Sequence, residues 1–250
     1  VVLLARDRER GEHALRDVRR ETGNDQVSLE LVDLASFASV RAVAARLSER
    51  FPAVNVLVNN AGVNLLRRTL TVDGMEMTLA VNHLAPFLLT NLLLPVLRAG
   101  APSRVVNVTS RFERWGRIAF HDLQLTSGYT ALRAYTQSKL ATLLFTYALA
   151  ARTRQLGVAV NAVHPGLAAT DLMRDLPRWL RSLYEPFLLS PEAGARPLIA
   201  LASSPSFEGV TGLYFERQHE RRSSRRSYDE EAGERLWQMS EELTGAALPW

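Results

Sequence analysis

Short, nearly unbroken apolar runs alternate along this chain with longer stretches in which apolar residues recur every three to four positions. Residues 1–5, 27–31, 54–58, 104–108, 158–163 and 212–215 read as strands. Their continuous apolar character is that of strands covered on both faces. Between them, helices are predicted over 8–22, closed by Gly23; 37–50, ended by Pro52; 131–156, stopped by Gly157; 191–203; and 230–243. Another is predicted from about 72 to 98, with Pro86 and Pro95 expected to kink or interrupt it. Strands alternating with helices of this length predict an α/β fold, a doubly wound parallel sheet of Rossmann-like type, in a single domain over 1–250. No internal repeat or linker-like segment divides the chain.

Composition narrows the picture. A hydrophobic content of 47% over 250 residues can fill one large core. The absence of cysteine excludes a disulfide framework, a thiol nucleophile and a cysteine-ligated metal. Five scattered histidines show no metal-binding cluster, and no metal is expected. The longest apolar stretch, 84–97, is broken by Thr90, Asn91 and two prolines and falls short of the roughly 20 residues that a membrane span needs. No signal peptide opens the sequence, so a cytoplasmic protein is expected, with any leader or anchor lying before Val1.

The formal charge is +4, and every basic residue except Lys139 is arginine. That bias fits the base composition of a coding sequence better than selection for anion binding, and no nucleic-acid partner is expected. One cluster, Arg221, Arg222, Arg225 and Arg226, could touch phosphate or a membrane surface; a solvated loop is the plainer reading.

In open α/β sheets, ligands bind beyond the carboxyl ends of the strands. There this sequence gathers Arg6 and Asp7, then Asp33, then Asn59-Asn60-Ala61-Gly62, then Thr109 and Ser110, then His164-Pro165-Gly166. Tyr135 and Lys139 stand four apart on a predicted helix and share one face. A phenol titrates near 10 and is a poor base at neutral pH, but a neighbouring ammonium favours the phenolate and makes it a usable acid/base. With six tyrosines in the chain, chance puts one at that spacing from the only lysine in roughly 6 of 250 cases. A compact ammonium also suits a small site where the wide guanidinium fork does not. Ser110 could hold a substrate oxygen, or simply cap a turn. Asn82, an odd choice within an apolar helix, either kinks that helix or holds a proton-relaying water.

The segments Asn59-Asn60-Ala61-Gly62, Asn82, Ser110, Tyr135-Thr136-Gln137-Ser138-Lys139 and Pro165-Gly166, in this order, resemble the signature set of the short-chain dehydrogenase/reductase family. The resemblance covers essentially the whole chain. Segments 102–108, 164–166, 212–215 and Leu236-Trp237 are similar to its retinol-dehydrogenase-like branch. The resemblance implies an oxidoreductase in which Tyr135 donates or accepts the proton and Ser110 positions the carbonyl. Lys139 would lower the Tyr135 pKa and bind the nicotinamide ribose, and Asn82 would support a proton relay. It further implies that Asn59 steadies the sheet and that Asn60, Ala61 and Gly62 line the adenosine side. Asp33, with Leu34 beside it, would contact the adenine; Pro165 and Gly166 would flank the cofactor, and Thr170 would hold the carboxamide.

NAD enzymes usually place an acid where Ala5 stands here, and Arg6 follows it. A guanidinium suits a 2′-phosphate, which favours NADP over NAD unless Asp7 faces the ribose instead. The chain departs from the family in one respect: the Gly-rich phosphate loop, with the strand before it and the helix after it, does not occur. The expectation is a sequence short by about one strand–helix unit, a gap in the sheet between 1–5 and 54–58, and weak or absent NADP binding.

After Gly166, Leu172, Met173, Leu176, Trp179, Leu180, Leu183, Tyr184 and Phe187 suit either a lipophilic alcohol or carbonyl substrate (a retinoid, steroid or aldehyde) or a lid packing on its own domain. The rival to an enzyme is a non-catalytic scaffold of the same fold. Membrane association and a homo-oligomer stay open.

Overall fold

A computed structural model describes residues 1–166 and 189–246 of the chain. Among the described residues, β1 (Val2–Ala5) and β2 (Ser28–Leu31) form a two-stranded parallel sheet. A second sheet has the order β3 (Val56–Asn59), β4 (Ser103–Val108), β5 (Val158–His164), β6 (Tyr214–Glu216), β7 (His219–Arg221). All its pairings are parallel except the last. The helices are α1 (Arg8–Thr22), α2 (Phe37–Arg50), α3 (Met77–Ala99), α4 (Ala131–Thr153), α5 (Pro191–Ser203) and α6 (Glu230–Thr244).

The sheet is divided where the sequence suggests a gap. β1 pairs with β2 and β3 with β4, but β1 and β3 share no ladder. Val56 and Val58 on β3 are each 39% exposed, although β-branched residues of a doubly covered central strand would be buried. What unites the halves is the helical layer. Phe37, Val40, Val43, Ala44 and Leu47 recur along one face of α2 and join a core that also holds Leu84, Leu88, Val105, Leu144 and Val158. Arg41 reinforces this, its guanidinium donating to the carbonyls of Thr244 (2.7 Å) and Gly245 (2.9 Å) at the end of α6.

Helix starts follow local chemistry. Asp7, Ser36, Thr130 and Asp229 each accept from a backbone N–H in the first turn of α1, α2, α4 and α6. Gly23 and Gly245 end α1 and α6 in the left-handed conformation. α3 differs from expectation. It begins at Met77, where the buried Glu76 carboxylate accepts from the N–H groups of Thr78 and Leu79. Its irregularities are a π-helical turn over Ala80–Leu84, in place of a break at Pro86, and an interruption at Leu93, just before Pro95 as expected. By length and composition α3 is apolar enough to cross a bilayer, which the run 84–97 alone did not suggest. Because 89% of its apolar window is buried inside the fold, it is a core helix here.

The π turn is braced from below. His83 sits among the rings of Phe87, Phe145 and Trp237. Its Nε2 lies 2.9 Å from Ser240 Oγ. That hydroxyl donates to the Leu236 carbonyl, so it accepts from Nε2–H, while the buried Nδ1 has no partner among the described residues for a second proton and the imidazole is neutral. Burial lowers the His83 pKa from 6.5 to about 3. Between those values the unfolded chain binds the extra proton, so stability is present above pH 6.5 and falls as pH drops toward 3. The loss at pH 5 is about 2 kcal/mol from this group. Urea unfolding at pH 7 and pH 5 measures it, and His83→Gln is expected to flatten that difference by a similar amount.

Candidate active site

At the carboxyl ends of β4 and β5, the sheet meets α4 across a short 3-10 turn, Arg111–Trp115. Ser110 begins that turn. It is 5% exposed, and its Oγ accepts from Phe112 N at 3.4 Å, so the capping role and a place in the site coincide. Tyr135 and Lys139 lie one turn apart on the buried face of α4. Two reciprocal bonds fix α4 against β4: Thr109 Oγ1 donates to the Lys139 carbonyl (2.9 Å), and Lys139 Nζ donates to the Val108 carbonyl (3.1 Å). Gly116 permits the approach of the 3-10 turn, since a Cβ there would stand 2.4 Å from the Thr136 carbonyl oxygen.

The electrostatics correct one expectation. Lys139 Nζ lies 5.7 Å from the centroid of the Tyr135 ring. Yet the Tyr135 pKa is raised above 10, because burial outweighs the hydrogen bond from Ser110 that pulls it down. The ammonium itself is desolvated, and the Lys139 pKa falls from 10.5 to about 8. Adjacency is present; depression of the phenol pKa is not. In this state the phenol is a proton donor at neutral pH.

Asn82 emerges from the π turn with its amide engaged at both oxygen and nitrogen. Its Oδ1 accepts from Val63 N (2.8 Å), and its Nδ2 donates to the Val63 carbonyl and to Ser138 Oγ (2.9 Å each). The side chain is therefore a bridge between the 59–63 segment, α3 and α4; both Nδ2 donors are spent, and Oδ1 keeps a second lone pair that can accept from a water. Asn59 ties the sheet as expected, donating to Thr90 Oγ1 and Asn107 Oδ1.

Asn60, Ala61 and Gly62 are exposed along the rim. A Cβ on Gly62 would come within 3.4 Å of both Lys139 Nζ and Asn82 Oδ1. Lys139 spends one of its three donors on Val108, which leaves two for a ligand hydroxyl lying against Gly62. These features fit the ribose end of a dinucleotide.

Asp7 is occupied as the α1 cap, with Arg10 N at 2.9 Å from its Oδ1. Arg6 is exposed, with no hydrogen bond or ion pair among the described residues. Asp33 Oδ1 accepts from Ala35 N (2.9 Å), and Leu34 is half-buried against the core. Pro165 and Gly166 follow β5, with Gly166 at φ 104 and Leu189 packed where a Cβ would go. His164 is buried and neutral, its pKa lowered to about 4 by burial. Thr170 and the apolar residues from Leu172 to Phe187 lie outside the described residues.

Sequence reasoning missed Phe112. Its ring packs edge-on to Tyr135 at 6.1 Å and to Trp115 at 5.1 Å. It also missed Glu113, whose buried carboxylate accepts from Ser224 N (2.9 Å) and Ser224 Oγ (2.5 Å) and so pins the 3-10 turn to a distant segment. Neither leaves a local sequence signal beyond its neighbourhood to Ser110.

The sequence profile of the short chain dehydrogenases matches residues 1–181. Human retinol dehydrogenase 13 is 41% identical over 258 residues, covering 100% of this chain and 78% of that protein. Mouse retinol dehydrogenase 11 is 40% identical over 252 residues, with 100% and 80% covered. Among solved structures, an uncharacterized protein from Mycobacterium paratuberculosis aligns with a TM-score of 0.80 at 35% identity, over 100% of this chain and 85% of that one. The Pseudomonas aeruginosa RhlG/NADP active-site complex aligns with a TM-score of 0.68 at 27% identity, over 86% and 84%.

Proposed function

Because the chain belongs to the short-chain dehydrogenase/reductase family, we propose that it transfers a hydride between NADP(H) and a lipophilic alcohol or carbonyl substrate, with Tyr135 as the proton-transferring group. The observation that carries this reading is the convergence of Ser110, Tyr135 and Lys139 beside the Gly62 rim. A bound nicotinamide would supply or take the hydride. Tyr135 gives its phenolic proton to the substrate oxygen, and Ser110 holds that oxygen against the phenol by hydrogen bonding. Lys139 directs its two remaining N–H donors to the cofactor ribose and places a positive charge below the phenolate that forms. Asn82 keeps the Gly62 rim and α4 in register. The raised Tyr135 pKa suits the carbonyl-reducing direction near neutral pH.

NADP is preferred because Arg6 is exposed and uncommitted while Asp7 is spent on its helix. The NADP named with RhlG and the names of the retinol dehydrogenases support the same choice of cofactor class and an apolar substrate. Oxidation of NADPH and of NADH with a panel of apolar aldehydes and ketones tests this. NADPH is expected to lead in kcat/KM by at least tenfold, and Arg6→Ala to remove about that factor, as expected for one charge-assisted phosphate contact. Equal use of the two cofactors, unchanged by Arg6→Ala, would reject the choice.

A second reading, a scaffold that keeps the fold without holding a dinucleotide, is favoured by the division between β1 and β3. Fluorescence titration with NADPH bears on both readings: saturable binding supports the enzyme and overturns the weak binding expected from the missing phosphate loop, and none by a chain that carries that loop supports the scaffold.

A further inference from the structure

The exposed arginines near the carboxyl ends of the strands form one surface. Segments 111–117 and 214–226 carry eight arginines, all exposed: Arg111, Arg114 and Arg117 in the first, and Arg217, Arg221, Arg222, Arg225 and Arg226 in the second. Three glutamates accompany them. Glu113 is buried, and Glu216 pairs with Arg111 at 3.3 Å and Arg114 at 3.9 Å, which leaves only Glu220 exposed. The surplus of five positive charges exceeds the formal +4 of the entire chain, so the rest of the molecule is close to neutral.

The two segments are contiguous in space. Arg114 donates to the Arg222 carbonyl (3.3 Å), and Arg226 reaches back to the carbonyls of Gly116 (3.3 Å) and Arg114 (3.5 Å). Trp115 stands among these arginines and is 67% exposed. An indole left in water gains little for folding, and among the described residues its ring contact is with Phe112, which in turn packs on Tyr135. The surface therefore connects through Phe112 to Tyr135 of the candidate site.

We propose that this face, Trp115 with Arg114, Arg117, Arg221, Arg222, Arg225 and Arg226, seats the protein on an anionic lipid bilayer so that apolar substrate passes from the membrane into the site beside Tyr135. Basic residues supply attraction to anionic headgroups, and a projecting tryptophan belongs at the depth of the headgroup layer. The choice of a bilayer over another polyanion rests on the lipophilic-substrate reading above, since the same surface would otherwise suit any negative partner.

Co-sedimentation of the chain with phosphatidylserine–phosphatidylcholine vesicles, and with phosphatidylcholine vesicles alone, is the test. Binding is expected only to the anionic vesicles and is expected to fall steeply as salt rises. The triple variant Arg221→Gln/Arg222→Gln/Arg225→Gln changes exposed side chains and is expected to melt with the parent. At about fivefold per arginine near an anionic surface, it is expected to bind about 100-fold more weakly. Trp115→Ala is expected to cost about tenfold on the same vesicles.

Turnover of a short water-soluble aldehyde is expected to be unchanged in the triple variant, whereas turnover of a long-chain aldehyde carried in anionic vesicles drops. Equal binding to neutral vesicles, no binding to anionic ones at low salt, or tighter retention on single-stranded RNA than on vesicles would overturn the proposal. If vesicle binding behaves as expected while no aldehyde is turned over, the hydride-transfer reading fails and the docking face stands.

Discussion

Tyr135→Phe is expected to reduce kcat for carbonyl reduction about 1,000-fold while leaving KM and cofactor binding near their parent values. General acid catalysis by a positioned side chain contributes roughly 10²- to 10⁴-fold, and phenylalanine removes only the hydroxyl that supplies it. The side chain is 8% exposed and its ring packs on Phe112, so the variant keeps the shape of the site. It gives up the bond to Ser110, and stability is expected to change by no more than about 1 kcal/mol. Steady-state kinetics beside a thermal melt distinguishes lost chemistry from lost fold; a variant that turns over like the parent removes Tyr135 from the mechanism. In the parent, kcat/KM for reduction should stay level through neutral pH and begin to decline near pH 8, where Lys139 loses its charge, the buried phenol ionising only above 10.

Lys139→Met is expected to abolish measurable turnover and at the same time to stabilise the protein near pH 7. Lys139 is 4% exposed, and desolvation lowers its pKa from 10.5 to about 8. Holding it charged at neutral pH therefore costs on the order of 3 kcal/mol relative to a neutral side chain. Against that, methionine gives up a single hydrogen bond to the Val108 carbonyl, roughly 1 kcal/mol. The first effect exceeds the second, and a gain of about 1–2 kcal/mol follows.

The pH dependence carries the same signature. Between pH 8 and 10.5 the unfolded chain holds the lysine proton and the folded chain does not, so parent stability rises with pH across that window. The methionine variant lacks this rise. Denaturant titrations at pH 7 and pH 9.5 measure both differences, and a destabilised variant at pH 7 would show that the ammonium is held by more than the structure reveals. A residue that weakens the fold and is nevertheless the chain's single lysine is best explained by its chemistry.

Much of the architecture was legible because its signals are local. The α2 stripe of Phe37, Val40, Val43, Ala44 and Leu47 recurs at helical spacing, and Gly23, Pro52 and Gly157 mark where helices stop. The division between β1 and β3 was foreseen from the missing strand–loop unit. The π turn at Ala80–Leu84 was not, because α3 is buried nearly all round and its composition has no stripe whose phase could reveal a slipped hydrogen bond. The antiparallel strand β7 escaped for the opposite reason. His219, Glu220 and Arg221 are polar and exposed, and they are held by ladder bonds that composition does not encode.

In the site, spacing put Tyr135 and Lys139 on one helical face, and the structure places them together. Spacing carries no information about dielectric, which is why burial reversed the expected shift of the phenol. Contacts between remote segments were beyond reach as well. Glu113 and Ser224 are 111 residues apart, and only the folded chain brings them together.

The solitary, enclosed lysine also determines how the protein meets the reagents of the bench and the cell. Folded, it holds its one side-chain amine at 4% exposure, out of reach of the large enzymes that conjugate ubiquitin, although arginines cover its surface. The route to position 139 in the folded chain runs past the exposed Gly62 rim, so a bound dinucleotide is expected to protect the amine from acylating labels and unfolding to expose it.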